Sequence, residues 1–587
     1  MVQDGSGAPQ AWIERFAQPL AGRSTGPLAG LRFAIKDNID ALGWPTTAAC
    51  PEFAYRPREH ATVVRKLLDA GASLVGKTNL DQFACGLNGT RSPYGAVPNA
   101  FHADYVSGGS SSGSAYVVAT GQVDFALGTD TAGSGRVPAG LNNIVGIKPS
   151  RGLLSARGVV PAAQSVDCVS IFARTVAMAA RVLQVAQGPD AQDPYSRTLQ
   201  LARQPFGHRF RFGLPDPLEF FGDQAAQAAF AQAVQRLSAI GGVAVALDYR
   251  PLAQAAALLY ESALVAERYA ALRPFFDAHE DRVMEPVRSI IARGRGFGAA
   301  DLCAAQTQLQ ACAQQARALW AGMDVLLVPT APTHYTIAAM QADPVALNSH
   351  LGQYTNFVNL LDYAAIAVPS SIRPDGLPFG ITLIGPCGSD WPLAELGQRY
   401  HHASGMLQGA LSLPLPAPQA LVGMQALTGM PALADMPAPA GTAPAPVATA
   451  GRADDTPHMR LAVVGAHLSG MPLDAQLIER GARLLQATST APSYRLYALP
   501  GSVPPKPGLR RVATGGAAIA LELWDMPQAQ MGSFLALIPP PLGLGQVELA
   551  DGSWATGFIC EGYALQAAQD ITGHGGWRAY LAACKPA

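Results

Sequence analysis

Apolar and polar positions alternate along the first 410 residues with two periods. "HATVVRKLLDAGA" (60–72) repeats apolar residues at three- and four-residue spacing and runs into a glycine, which predicts an amphipathic helix. "LRFAIKD" (31–37), "SLVGKT" (73–78), "DFALGTD" (124–130), "DVLLVPT" (324–330) and "AAIAVPS" (364–370) are short apolar runs and predict buried strands. Strands interleaved with helices predict an α/β architecture for residues 1–410. Residues 411–458 are rich in Ala, Pro and Gly and predict an extended, semi-rigid linker. In 459–587 the runs "LAVVGAHL", "YRLYALP", "AAIALELWDMP", "SFLALIP" and "TGFICE" predict strands, with one helix at 473–488. That pattern predicts a smaller α+β or barrel-like domain.

A length of 587 residues agrees with this division. Hydrophobic residues make up 49% and charged residues 14%, a globular composition. The formal net charge of −1 gives no electrostatic ground for a nucleic-acid partner or an anionic membrane. The eight cysteines contain no CxxC pair, so free thiols in a reducing cytoplasm are expected rather than disulfides or zinc. The opening "MVQDGSGAPQAWIERF" lacks a basic region followed by an apolar core, so no signal peptide is expected. The uncharged stretch 401–434 is broken by Pro414, Pro416, Pro418 and Pro431, and reads as helix end plus linker, not a membrane helix.

Two motif matches fail on context. "GASLVGKT" (71–78) fits the phosphate-loop pattern, but that mechanism needs strand, loop, helix; here the order is helix, turn, strand. "GSSSG" (109–113) fits a nucleophile elbow around Ser111, yet the preceding "HADYVSG" is a polar loop where a core strand is required.

The informative segment is "SGGSSSGSAYVVATGQVDFALGTDTAGSGRVPAG" (107–140). Small residues let backbone approach closely. A strand ending in "TDTAGSG" offers several backbone amides with little side chain in the way, which is how an oxyanion hole is built. This segment, with "LAGLRFAIKDNID", "VGKTNLDQFACG", "GIKPSRG", "DVLLVPTAPT" and "GLPFGITLIG", resembles the amidase signature family of serine hydrolases over residues of roughly 28–390. One departure is "AGSG" at 132–135, where the family usually has GGSI.

The resemblance implies a mixed central sheet flanked by helices. It also implies Ser134 as nucleophile, Ser110 as bridging serine after a cis Gly109–Ser110 peptide, and Lys36, not Lys77, as base. The amides of Thr131, Ala132 and Gly133, with that of Ser134, are expected to hold the oxyanion. Lys36 must be neutral to accept a proton; an unperturbed lysine titrates at about 10.4, and burial against "LRFAI" is expected to lower it. Asp130 and Arg136 are expected to brace the loop. This chemistry calls for no metal and no organic cofactor.

"QFACGLNGTRSPYGAVPNAF" and "GGSSSGSA" look like the allophanate hydrolases within that family. In "LLYESALVAERYAALRPF", Tyr260 and Arg268 lie eight residues apart, just over two helical turns and hence on one face. The resemblance implies that they bind the carboxylate of allophanate (urea-1-carboxylate), in urea or cyanuric acid nitrogen catabolism. "LAVVGAHLSGMPLDAQL", "YRLYALPG", "PPKPGL", "LELWDMP" and "DITGHGGWRAYL" look like the C-terminal domain of the same enzymes, similar in strand pattern to the gamma-glutamylcyclotransferase-like fold. There His467 is the best match to a histidine proposed in decarboxylation, and His574 a second candidate. A homodimer, alone or within a larger pathway complex, is what the relatives suggest. The alternative is another amidase of this family acting on a small aliphatic amide, with the C-terminal domain as an assembly module. A glutaminyl-tRNA amidotransferase component fits less well, given the neutral charge and the additional domain.

Overall fold

A computed structural model of the chain describes residues 8–421, 458–500, 505–535, 537–538, 541–565 and 568–584. The fold divides into two compact units, Met1–Ala438 and Pro439–Ala587. Of the segment read as a linker, residues 422–457 lie outside the described residues. Residues 411–421 run along the first unit, where Leu421 is buried and the Gln419 carbonyl accepts from Gln398 Nε2 at 2.7 Å. No helix among the described residues is long and apolar enough to cross a membrane.

The first unit is built on eleven strands: β1 (Trp12–Leu20), β2 (Arg32–Lys36), β3 (Ser73–Thr78), β4 (Phe125–Asp130), β5 (Val145–Lys148), β6 (Cys168–Ala173), β7 (Phe210–Asp216), β8 (Gly242–Asp248), β9 (Val325–Pro329), β10 (Tyr363–Ile372) and β11 (Pro378–Pro386). They form one mixed sheet in the order β1-β3-β2-β4-β6-β5-β10-β11-β9-β7-β8. Each of the five runs expected as strands is one, and helix Thr62–Asp69 leads into β3 in the order that excludes a phosphate loop. Strands β4, β5, β6 and β9 are buried at every position, as expected where helices cover both faces. Helix Ser112–Ala119 is buried all round because its residues are small or apolar.

The centre of the sheet sets the position of everything functional. β2 and β4 are parallel neighbours, with Ile35 opposite Leu127, so both end on the same side. The chain leaves β4 through the Gly-Ser loop and enters the buried helix Val137–Leu141. That helix seats on β11 by a glycine contact: a Cβ on Gly380 would stand 2.6 Å from Gly140 Cα. Any side chain at 380 would push the helix, and with it the Ser134 loop, away from the sheet.

The second unit contains β12 (His458–Val463), β13 (Arg483–Ser489), β14 (Tyr494–Ala498), β15 (Pro507–Arg511), β16 (Ala520–Pro527), β17 (Leu542–Glu548), β18 (Trp554–Cys560) and β19 (Gln569–Asp570). Five make a sheet in the order β13-β16-β12-β18-β17, and three a second sheet, β15-β14-β19. Two expectations are corrected here. The helix read at 473–488 covers only Ala475–Ile478; Gly481, at φ +72°, turns the chain, and 483–489 pairs with β16 as an edge strand. The described residues of "SFLALIP" form no strand: Met531–Leu535 is a helical turn that buries Phe534. Pro539–Pro541 follow it, and proline has no amide for a ladder.

Candidate active site

Lys36 ends β2, fully buried among apolar strand residues. Its Nζ donates to Ser110 Oγ and to Thr129 Oγ1, both at 2.7 Å. Among the described residues it forms no ion pair. Burial without a counter-ion pushes its pKa down to about 7; Asp81, Asp167 and Asp130 act against the shift. Lys77, one strand away, contrasts with it. Its ammonium pairs with Asp37 at 2.9 Å and donates to the Pro45 carbonyl and Thr46 Oγ1.

Ser110 follows a cis Gly109–Ser110 peptide and leads into helix Ser112–Ala119, which packs on β4. Only glycine fits at 109, because a Cβ there would lie 2.2 Å from Asp81 Oδ2. Ser134 is buried in the loop after β4. Its hydroxyl donates to the Gly86 carbonyl at 3.4 Å and makes no hydrogen bond to Ser110.

The Ser134 loop is folded around Asp130. The amides of Gly133 and Gly135 each donate to its carboxylate at 2.9 Å. Arg136 grips the same carboxylate with Nε and Nη2, also at 2.9 Å, and both side chains are wholly buried. Burial alone would raise the Asp130 pKa; the guanidinium outweighs it and holds the carboxyl low. The bracing role expected for this pair is thus met by geometry. It also means that the Gly133 amide is already engaged, whereas those of Ala132 and Ser134 have no partner among the described residues. From behind, Thr355 Oγ1 donates to the Ala132 carbonyl at 2.6 Å and Asn359 Nδ2 to the Asp130 carbonyl at 2.7 Å.

Tyr260 and Arg268 meet, but not on one helix. Helix Arg250–Glu261 stops at Ser262, which is extended and whose Oγ accepts from the Leu264 amide; Arg268 lies on the next helix, Ala266–His279. Arg268 Nη2 donates to Tyr260 Oη at 3.1 Å, and the guanidinium lies 5.1 Å from the ring centroid. Arg268 is only 3% exposed, yet its Nε and Nη1 have no partner among the described residues. Tyr260 packs in one apolar cluster with Ala132 of the Ser134 loop. Arg268 also feels the charge of Asp167.

Two further residues of the site, Asp167 and Thr129, are not singled out by the sequence motifs. Thr131 Oγ1 donates to Asp167 Oδ1, and the Ala162 and Ala163 amides donate to the same carboxylate. An acid at the head of the apolar run "CVSIFA" is the signal that marks Asp167. In the second unit, His467 follows β12. Its Nε2 lies 2.9 Å from Gln476 Oε1 and its ring stacks on Phe558 at 5.1 Å, in a cavity that Lys506 also lines. Burial lowers its pKa, so it is neutral at pH 7. His574 closes a short turn and meets Tyr580 edge-on.

Comparison with known proteins follows the same division. The amidase family model matches residues 9–393, and the model of the allophanate hydrolase C-terminal domain matches 459–582. The chain is 44% identical over 573 residues to urea amidolyase of Saccharomyces cerevisiae, covering 95% of this chain but only 30% of that protein. The solved allophanate hydrolase of Kluyveromyces lactis superposes with a TM-score of 0.69 at 40% identity, covering 100% of this chain and 95% of that one. A glutamyl-tRNA(Gln) amidotransferase polypeptide of Thermotoga maritima superposes with a TM-score of 0.60 at 29% identity, over 70% and 91% of the two chains.

Arg136→Met leaves Asp130 charged, buried and unpaired, which is expected to destabilise the protein by about 3–5 kcal/mol. Chemical denaturation reads this directly; a loss below about 1 kcal/mol would show that the loop is held by its other contacts.

Proposed function

The chain belongs to the amidase family and carries an allophanate hydrolase C-terminal domain, and from this premise we propose that it hydrolyses allophanate. Amidohydrolysis is the chemistry of the family; the substrate is inferred from the site. The observation that carries it is Arg268, a buried cation with two unused donors beside the Ser134 loop. A guanidinium fork with a tyrosine hydroxyl fits a small planar carboxylate.

In this reading Lys36, Ser110 and Ser134 form the catalytic triad. Neutral Lys36 takes the proton of Ser110, which takes that of Ser134 as it attacks the amide carbonyl. For this the Ser134 hydroxyl leaves the Gly86 carbonyl for Ser110 when substrate arrives; such bonds commonly tighten only in the substrate complex. The oxyanion is held by the Thr131, Ala132 and Gly133 amides, the last exchanging its bond to Asp130. The proton returns through Ser110 to the leaving nitrogen and ammonia departs. Water then cleaves the acyl-enzyme to N-carboxycarbamate, which loses carbon dioxide and falls apart to carbon dioxide and ammonia. His467, neutral and in a cavity with Lys506, is assigned to that later decarboxylation. We further propose a division into 1–410, a linker at 411–458 and 459–587, a cytoplasmic homodimer, and a role in urea or cyanuric acid catabolism.

Two ammonia and two carbon dioxide are expected per allophanate, and Ser134→Ala is expected to form neither. Arg268→Gln lowers kcat/KM for allophanate roughly a hundredfold, the worth of about two charged hydrogen bonds, while slow turnover of malonamide is little changed. Equal losses on both substrates would remove the carboxylate role. His467→Ala releases the first ammonia at the normal rate and carbon dioxide late; simultaneous, normal release removes His467 from the later step. Since Lys36 works as a base, kcat/KM for the neutral amide malonamide falls as pH drops through about 7, and a malonamide profile flat from pH 8 to 6 contradicts the assignment.

A further inference from the structure

Asp167 sits between the two halves of the site. On one side its carboxylate accepts from the Thr131 hydroxyl, in the loop that carries Ser134. On the other, its loop reaches the Tyr260–Arg268 pair: Ala163 and Val166 pack in one cluster with Tyr260, and Ser165 donates to Glu267, the residue before Arg268. Asp167 and Arg268 form no ion pair, yet each acts on the other's ionisation. Its remaining partners are neutral, the Ala162 amide at 2.8 Å and the Ala163 amide at 3.1 Å. A carboxylate on this loop lends negative charge to a cation with unused donors.

We infer that Asp167 is a positioning residue that exchanges charge with the incoming substrate: when an anion occupies the Tyr260–Arg268 pair, Asp167 takes up a proton from solvent. The inference rests on the reading of Arg268 as a carboxylate site. Two carboxylates around one guanidinium repel each other, and the one with neutral partners is the one that protonates. Asp167 is already prepared for this, since burial pushes its pKa up to about 6 against the pull of its hydrogen bonds and of Arg268. The other charges around it do not cancel the effect. Lys36 from β2 is largely neutral above about pH 7. Asp130 and Arg136 neutralise each other. Glu267, which holds Ser165 in the same loop, adds negative charge, and Arg151 donates to the Ser165 carbonyl. The hold on the Ser134 loop survives protonation, because the Thr131 hydroxyl can turn from donor to acceptor.

The sign follows from linkage. Protonation of Asp167 favours the bound state, so anion affinity rises as pH falls from 8 towards 6, by up to about tenfold per unit, and levels off once Asp167 is protonated in the empty site.

The test is calorimetric titration of the full chain with malonate, a dicarboxylate with no amide to cleave, in buffers of different ionisation enthalpy at pH 7 and 8. Wild type is expected to take up most of one proton per malonate. Asp167→Asn, which keeps a hydrogen-bonding side chain without the charge, is expected to take up none and to bind with nearly equal affinity at both pH values. Binding without proton uptake in wild type overturns the inference. So does the same uptake in Asp167→Asn, which would assign the proton to Lys36 or to malonate itself. Unchanged malonate binding by Arg268→Gln is a different failure, because it removes the carboxylate site itself. Should Asp167→Asn not fold, difference infrared spectroscopy of the wild type decides. Malonate must produce a protonated carboxyl band from the protein, and its absence overturns the proposal.

Discussion

The buried pairing of Arg136 with Asp130 is the constraint on which the site depends. One carboxylate receives two guanidinium nitrogens and two backbone amides, all at 2.9 Å. Those four bonds bend the chain between 130 and 136 into a closed loop with Ser134 inside it. The rest of the surroundings is arranged against that loop: Thr355 and Asn359 from behind, Thr131 tied to Asp167 at the side, and Gly86 in front. A buried ion pair is poor evidence for net stability, since desolvation consumes most of the attraction. Its contribution here is geometric.

The two buried lysines of neighbouring strands illustrate how surroundings decide chemistry. Lys77 has a carboxylate 2.9 Å away and two oxygen acceptors, the usual way to keep a buried cation. Lys36 has two hydroxyls instead. A hydroxyl can either accept from an ammonium or donate to an amine, so this environment tolerates both protonation states, as a base that works near neutral pH requires. The order of the strands produces the difference: Lys36 ends beside β4 and the Ser110 turn, Lys77 beside the loop that carries Thr46.

Much of this was legible in the chain. Central strands such as "DFALGTD" and "DVLLVPT" are apolar throughout and bounded by turn residues, and the sheet buries them. The Lys36–Ser110 contact was legible only through family resemblance, because 74 residues separate the partners and no periodicity reports such a contact. Reading failed where local pattern and tertiary context disagree. "SFLALIP" has a strand's composition, yet its first three residues belong to a helical turn that buries Phe534. The segment 473–488 has helical spacing, but Gly481 divides it and an open sheet edge takes its second half. Tyr260 and Arg268 are eight residues apart on a broken helix, and they meet because the turn at Ser262 brings the second helix back. Asp167 stands outside the motifs because the side chain that ties it to the site, Thr131, lies 36 residues away.

The strand order has a consequence for how the protein is made on the ribosome. Lys36, Ser110 and Ser134 all emerge within the first quarter of the chain, but β5 lies between β6 and β10, and the helix after Ser134 rests on β11. The residues that close the Ser134 loop from behind are Thr355 and Asn359. More than two hundred residues must therefore be synthesised before the loop receives its last supports. Until then the growing chain holds the unpaired edge of β5 at the centre of its future sheet, the kind of surface that nascent chains must shield from one another.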